Sequence, residues 1–222
     1  MNKNIFNKEE AEILENIILR RRDVRGNRFS KTLISDEILD KIIYAGINAP
    51  SVGFSQPWEF VIIKDELVKN QVLDSFNEEN DRAMEEFVTE KQAKYKQLKL
   101  EGILEAPVNI AVFYKPSETP VLGQNSMKDA GIFSVVCAIQ NMWLMARVLN
   151  IGLGWVSIID PEKVKGILNA PKENKLVAYL CLGYVEEFLD KPEFETIQWE
   201  KRKHMNEVIF HEKYKTDTDD KI

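Results

Sequence analysis

The stretch AGIFSVVCAIQNMWLMARVL, residues 130–149, decides how this chain folds. It is apolar nearly all round a helical projection. It therefore predicts a long helix that is central and buried or that forms a subunit interface. The next segment, LGWVSII (153–159), is rich in β-branched and aromatic residues and predicts a strand.

Shorter elements of both kinds flank this pair. Helices are predicted over about residues 8–22, 35–48 and 161–169, and strands over residues 59–64, 107–115 and 175–187. The second helix begins at Ser35, a good N-cap, and ends before Pro50, which disfavours helix in the residue before it. Helices and strands mixed in this way predict the α+β class.

Two polar stretches depart from this pattern. Residues 66–101 carry sparse apolar residues among many charges, which predicts a broken helical arm that is too polar for the core and acts as a lid. The charged, extended tail 191–214 has too few apolar residues to fold alone, so we expect it to wrap around a second subunit. Residues 1–214 are expected to form one domain, and residues 215–222 are expected to be disordered.

Composition excludes several classes of function. The chain has 222 residues, 44% of them hydrophobic and 30% charged, and its formal net charge is −6. This balance is ordinary for a soluble protein and argues against nucleic acid as a partner. No apolar run is expected to reach membrane-spanning length and the polar N-terminus is unlike a signal peptide, so we predict a cytoplasmic protein. Cys137 and Cys181 are expected to be buried, and with only His204 and His211 as histidines we expect no metal.

Five arginines crowd into nine positions of this acidic chain. They are Arg20, Arg21, Arg22, Arg25 and Arg28. A guanidinium binds phosphate through a planar pair of donors, so the cluster predicts an anion site at the end of the first helix. The alternative is a solvated face that complements the helix dipole. Because the positive charge is local, the anion expected is a small phosphorylated molecule.

Two loops carry residues that suit a flat polar ring. In APSVGFSQPW (49–58), small residues allow backbone amides to approach closely, Gln56 can hydrogen-bond an amide-like edge, and Trp58 can stack. An ordinary turn before a core tryptophan explains the same residues. In IGLGWVS (151–157), the glycines expose N–H groups that could donate to a ring carbonyl. FMN, with a phosphate at one end and a flat ring at the other, meets this description.

Six segments, in the same order over about residues 10–214, resemble the flavin nitroreductase family. They are RRDVRGNRF (21–29), APSVGFSQPWEFV (49–61), LKLEGILEAP (98–107), VCAIQNMWLMAR (136–147), GLGWVSI (152–158) and LGYVEE (182–187). Asp23 stands where ordinary members commonly carry serine, and Ser157 follows the Gly-Trp pair. These two residues make the chain resemble, more narrowly, the BluB-type branch of 5,6-dimethylbenzimidazole synthases.

The resemblance implies a central, mainly antiparallel sheet flanked by helices, in a domain-swapped homodimer with a helical lid. FMN would then bind at the subunit interface. The matching cofactor positions are Arg21, Arg22, Asp23, Val24, Arg25, Ser51, Gln56, Gly154, Trp155, Ser157 and, by a loose alignment, Arg202. In the family the arginine motif holds the phosphate and ribityl chain, and the two loops lie beside and opposite the ring.

The same resemblance implies that the cofactor is consumed. Reduced FMN reacts with O2 and is fragmented to 5,6-dimethylbenzimidazole, the lower ligand of cobalamin, and erythrose 4-phosphate. NAD(P)H would supply electrons directly or through a separate flavin reductase. Asp23 is a catalytic candidate as a base or, because neighbouring arginines keep it ionised, as a positioning group. Ser157 is the second catalytic candidate and could hydrogen-bond the flavin edge or a peroxide intermediate. Without the resemblance, a salt bridge that holds the arginines apart explains Asp23.

Two other functions stay open. One is a conventional FMN-dependent NAD(P)H nitroreductase, quinone reductase or corrinoid reductase, in which FMN survives many turnovers. The other is a flavin-binding or storage module. The loop VLGQNSMKDAGIF (121–133) departs from the family, which would be expected to place a more basic pair at Gln124 and Asn125.

Overall fold

In the residues that the computed structural model describes, 5–87 and 89–214, four antiparallel strands form one sheet in the order β1-β2-β4-β3. The strands are β1 (Trp58–Ile63), β2 (Val108–Tyr114), β3 (Ile151–Val156) and β4 (Lys175–Tyr184). Every residue of β2 is buried, because this strand is central and is covered on both faces. The predicted strands and the α+β class are confirmed, with boundaries shifted by one to three residues.

Helices connect and cover these strands. They are α1 (Lys8–Arg20), α2 (Asp36–Ile47), α3 (Glu66–Glu85), α4 (Thr89–Tyr95), α5 (Ala130–Val148), α6 (Pro161–Ile167), α7 (Glu193–Thr196) and α8 (Met205–Val208). The Oγ atom of Ser35 accepts the N–H of Ile38, as expected of an N-cap. α2 and α5 pack together on one face of the sheet, against Val108, Ile110 and Val112 of β2.

α5 is apolar all round but is buried on one side. Val135, Ile139 and Met142 are in the core, whereas Phe133 is 54% and Val136 40% exposed. By length and composition alone, this helix could cross a membrane, so the expectation that no run reaches that length is wrong. Its buried side nevertheless belongs to the core of a sheet-containing unit, which explains its apolar character.

The polar arm is a broken helix, as predicted, but part of it is core. α3 packs against α6 and buries Val72 and Phe76, and Lys69 of the same helix is only 1% exposed. The Nζ atom of Lys69 donates to the carbonyl of Ala106 at 2.9 Å, which satisfies the buried charge in part. The prediction that the arm is too polar for the core is therefore wrong for α3, while its role as a lid stays a prediction.

The chain divides into two compact units, one ending at Phe188 and the other beginning at Leu189. The second unit contains the short helices α7 and α8, so the tail is not extended throughout. The single-domain assignment and the role of the tail in a dimer stay predictions. The disorder predicted for residues 215–222 concerns residues outside the described part of the chain.

The two cysteines differ in environment. Cys181 is buried in β4, as expected, but Cys137 is exposed on the outer side of α5. The expectation that Cys137 is buried is wrong because an apolar sequence neighbourhood does not tell which side of a helix faces the core.

Candidate functional site

Residues 20–28, which carry the five arginines and are called the arginine segment below, leave α1 and run along the outer edge of β3. α1 ends at Arg20, and Arg21 follows in extended backbone. Asp23 then forms a parallel bridge with Leu153, and the N–H of Val24 donates to the Leu153 carbonyl at 3.1 Å. β3 is the last strand of the sheet, so its outer backbone groups need partners from such a segment. The fold thus joins the predicted arginine motif to the predicted glycine turn.

Gly154 is required at this crossing because two backbones touch there. A Cβ atom added to Gly154 would overlap the carbonyl oxygen of Val24. A Cβ added to Gly152 would meet the side chain of Val185 and that of Val24. These glycines therefore allow the arginine segment to lie against the edge of β3. The sequence had suggested another role for them, the exposure of N–H groups to a ligand, which requires less close packing.

The carboxylate of Asp23 is held through both oxygens. Oδ1 accepts the N–H of Trp155 at 3.1 Å, and Oδ2 forms an ion pair with the guanidinium of Arg25. The side chain is still 31% exposed, so it can meet a ligand. Both contacts fix the orientation of the carboxylate, which leaves Asp23 placed to accept a hydrogen bond from a ligand.

Arg25 is turned into the protein. Its side chain is 12% exposed, and Nη1 donates to the carbonyl of Leu100 at 2.9 Å and more weakly to that of Trp155 at 3.4 Å. With the ion pair to Asp23, these contacts occupy much of the donor fork. Arg25 links the arginine segment to the loop before β2, which the sequence did not predict, and its role on a phosphate stays a prediction.

Arg21 and Arg22 pack on the C-terminal half of α5. The guanidinium of Arg21 lies 4.7 Å from the ring centre of Trp143, a cation–π distance, and Nε1 of Trp143 donates to the carbonyl of Arg22 at 3.1 Å. The ring of Trp143 lies 6.5 Å from that of Trp155. The two ring planes are inclined at 50°, so the indoles form an apolar corner beside the arginines. The sequence predicted only that Trp143 belongs to the apolar helix, because the spacing of residues along a helix does not show which distant segment packs against it.

Positive charge is concentrated where α1 and α5 end. Nε of Arg147 donates to the carbonyl of Arg20 at 3.0 Å, and its guanidinium lies 3.9 Å from the ring centre of Phe188. Burial lowers the pKa of Arg147, and the nearby charges of Arg20 and Arg22 lower it further. An anion bound here would relieve this repulsion, so the arrangement suits a phosphate.

The small-residue loop lies toward the other end of α5. The N–H of Val52 donates to Oγ of Ser134 at 3.0 Å, whereas the arginine segment contacts Trp143, nine positions later. At 1.5 Å per residue, these points are about 13 Å apart along the helix. Oγ of Ser51 accepts the N–H of Gln56 at 3.1 Å, and Gln56 is exposed with a φ of 47°. In the described part of one chain, Ser51 and Gln56 are thus not brought to the arginines.

Two predicted site residues remain, one next to the edge of β3 and one in the second unit. Ser157 directly follows β3 and is exposed, so its hydroxyl lies at the end of the strand whose edge carries Asp23. Arg202 is exposed and belongs to the second unit, so its contribution to a phosphate site stays a prediction.

Two neighbouring features narrow the chemistry of the site. The described residues, 5–87 and 89–214, contain no group of three or more His, Cys, Asp or Glu side chains that could hold a metal. Cys181 pairs with Gly154 across the sheet and is fully buried, and burial raises the pKa of its thiol. A buried, protonated thiol is a poor nucleophile, so we assign Cys181 to packing.

The fold and these contacts agree with what comparison with known proteins finds. The profile of the nitroreductase family matches residues 18–184. The chain belongs to the nitroreductase family. The resemblance seen in its sequence is confirmed, and it extends to the narrower branch. This family member is 38% identical over 201 residues to the 5,6-dimethylbenzimidazole synthase of Rhodospirillum rubrum, covering 90% of this chain and 94% of that protein.

Two solved structures share the fold of this nitroreductase-family chain. A BluB-like flavoprotein from Clostridium difficile 630 matches with a TM-score of 0.67 and 24% identity, covering 90% of this chain and 99% of that one. An oxidised iodotyrosine deiodinase bound to FMN and 3-iodo-L-tyrosine matches with a TM-score of 0.71 and 23% identity, with the same coverage of 90% and 99%. The predicted nitroreductase-like fold is therefore confirmed.

Replacing Gly154 with alanine is expected to displace the arginine segment from β3. Because the added methyl group overlaps the carbonyl of Val24, we expect the free energy of unfolding to fall by about 1–3 kcal/mol, as at other over-packed sites. Gly166→Ala is the control, since no atom lies within 4 Å of its added Cβ. Urea denaturation of both variants measures the effect, and a Gly154→Ala protein as stable as the wild type would contradict it.

Proposed function

We propose that this protein is a 5,6-dimethylbenzimidazole synthase, which fragments reduced FMN in an O2-dependent reaction to 5,6-dimethylbenzimidazole and erythrose 4-phosphate. The observation that carries the proposal is the Asp23 carboxylate on the outer edge of β3, held by the guanidinium of Arg25 and by the N–H of Trp155, which lies shortly before Ser157 in the sequence. The 38% identity to the Rhodospirillum rubrum synthase over 90% of the chain supports the same reaction. The product would serve as the lower ligand of cobalamin.

The residues at the site fit FMN as the substrate. The crowded charges of Arg20, Arg22 and Arg147 suit a phosphate, and the apolar surface of the Trp143 and Trp155 indoles suits contact with a ring system. When bound in its reduced form, FMN supplies the electrons that O2 accepts. The protein supplies binding, orientation and electrostatics.

Asp23 and Ser157 orient the reacting part of the substrate. An ionised Asp23 would accept a hydrogen bond from a hydroxyl of the ribityl chain and would thereby orient the carbon next to the ring. The ion pair with Arg25 favours this positioning role over strong general-base catalysis. Ser157 is exposed at the end of β3 and can donate a hydrogen bond to the ring edge.

Exposed apolar surface supports a homodimer in which each site draws on both chains. α1 has no buried residue and exposes Ile13 and Leu14, and the outer side of α5 exposes Phe133 and Val136. The loop 49–56 and the arginine segment lie about 13 Å apart along α5. A second copy antiparallel along α5 would bring the loop of one chain to the arginines of the other.

The runner-up is a conventional FMN-dependent nitroreductase, quinone reductase or corrinoid reductase that uses NAD(P)H. In either case, electrons come from NAD(P)H directly or through a separate flavin reductase. The two functions differ in the fate of FMN, which is destroyed in the first and survives many turnovers in the second. A cytoplasmic location stays a prediction.

Mass spectrometry of an aerobic mixture of pure protein, FMN and a reducing system tests the proposal. We expect 5,6-dimethylbenzimidazole in proportion to the FMN lost, and none without the enzyme. Asp23→Asn and Ser157→Gly should still bind FMN but should yield about 100-fold less product, the lower end of the range for a lost catalytic group. Asp36→Asn in α2 is the control, because it also removes a carboxylate, in this case one that forms an exposed ion pair with Lys64. Intact FMN with reduced nitro compounds or quinones would favour the runner-up, and full product from both site variants would remove these two roles.

A charge on the outer side of α5 tests the dimer. Val136→Glu is expected to give monomers and to weaken FMN binding, because an unpaired carboxylate in an apolar interface is costly and each site needs both chains. Sedimentation velocity gives the assembly state and quenching of flavin fluorescence gives the affinity. Leu67→Glu is the control, since Leu67 on α3 is 77% exposed. A dimeric Val136→Glu protein with normal FMN affinity would contradict the shared site.

A further inference from the structure

The loop before β2 contacts the arginine segment through backbone carbonyl groups. The carbonyl of Leu100 accepts Nη1 of Arg25 at 2.9 Å, and the carbonyl of the next residue, Glu101, accepts the N–H of Gly26 at 2.8 Å. Arg25 in turn holds Asp23 through its ion pair. The position of the Asp23 carboxylate therefore depends on where the backbone of residues 100 and 101 lies.

The side chain of Glu101 fixes that backbone. Glu101 is 4% exposed, and its Oε2 accepts the N–H of Ile103 at 2.6 Å. Its other oxygen forms an ion pair with Lys99, which also pairs with Glu105 at 2.8 Å. Burial acts to lower the pKa of Lys99, but the hydrogen bonds and charges of the two carboxylates outweigh it and raise the pKa. A buried carboxylate with these partners has little freedom to move.

Close packing leaves this loop no room to shift against the arginine segment. A Cβ added to Gly26 would lie 2.6 Å from the carboxylate of Glu105 and 2.8 Å from Cε of Lys99. A Cβ added to Gly102 would lie 3.0 Å from the N atom of Gly26 and 2.6 Å from the ring of Phe29. The two segments are thus in contact through bare backbone, so a displacement of one is passed to the other.

We propose that Glu101 is a positioning residue that holds the Asp23 carboxylate in place through Arg25, an inference that rests on the proposed function. Glu101 itself touches no substrate. It anchors the carbonyl groups that receive Arg25 and Gly26, and Arg25 then fixes one oxygen of Asp23 while Trp155 fixes the other. Precise placement of this carboxylate matters because small errors in the position of a reacting group slow a reaction strongly.

Glu101→Gln is the test variant, because it keeps the size of the side chain and an acceptor for Ile103 while removing the charge. Glu162→Gln is the control, since Glu162 also pairs at 3.0 Å with a nearly buried lysine, Lys165, but is itself 79% exposed and lies on α6. We expect Glu101→Gln to lower the single-turnover yield of 5,6-dimethylbenzimidazole about tenfold while changing FMN affinity less than about twofold. Glu162→Gln should change neither.

A double variant shows whether the effect passes through Asp23. If Glu101 acts by positioning Asp23, adding Glu101→Gln to Asp23→Asn should lower the residual yield by less than about twofold, because coupled sites are non-additive. An equal loss in both backgrounds would mean that Glu101 acts elsewhere and would overturn the proposal.

Hydrogen exchange of the Trp155 amide gives a readout that needs no product. In protein labelled with 15N-tryptophan, which reports on four residues, Glu101→Gln should speed exchange at Trp155 and leave Trp58 unchanged. Exchange at Trp155 equal to that of wild type and of Glu162→Gln would overturn the proposal. If the wild type forms no 5,6-dimethylbenzimidazole, the proposed function fails, and the exchange result still decides whether Glu101 holds Asp23.

Discussion

The site depends on one close approach, that of the Val24 carbonyl to the bare Cα of Gly154. Only at this distance can the N–H of Val24 reach the carbonyl of Leu153 and the carboxylate of Asp23 reach the N–H of Trp155. The contact completes the outer edge of β3, so it serves the sheet and the site together. The strand-edge geometry therefore fixes where the arginine motif begins and which way Asp23 points.

A single described chain holds the predicted site in two parts. The arginines and the glycine turn meet near the C-terminal end of α5, and the small-residue loop meets the same helix at Ser134. The long apolar helix carries both parts, and its outer side is left exposed. The helix is apolar on both sides, but one chain buries only one of them, which leaves the apolar outer side exposed.

Sequence reasoning succeeded where a local pattern has one physical solution. The apolar run of α5, the N-cap at Ser35 and the apolar run over residues 107–115 each left little choice, and these elements form as predicted. It failed where the outcome depends on a distant partner. Val72 and Phe76 of the charged arm find a core against α6, and Cys137 turns outward, because neither outcome is written in the local sequence. The arginine motif marked the site, but the contact of Arg25 with Leu100 spans 75 positions and had no signal.

The aspartate at position 23 determines which contacts its neighbours make. A serine at this position could accept the same backbone N–H through its hydroxyl without adding a charge. A carboxylate adds a negative charge, and that charge needs a cation to offset it. Arg25 meets this need and, being 12% exposed, is largely withdrawn from the surface. Arg20 and Arg147 lie where α1 and α5 end, and there burial lowers the pKa of Arg147 and the nearby charges of Arg20 and Arg22 lower it further. A carboxylate at position 23 thus affects the whole cluster, because it takes one arginine as its partner in an acidic chain that concentrates five of them here.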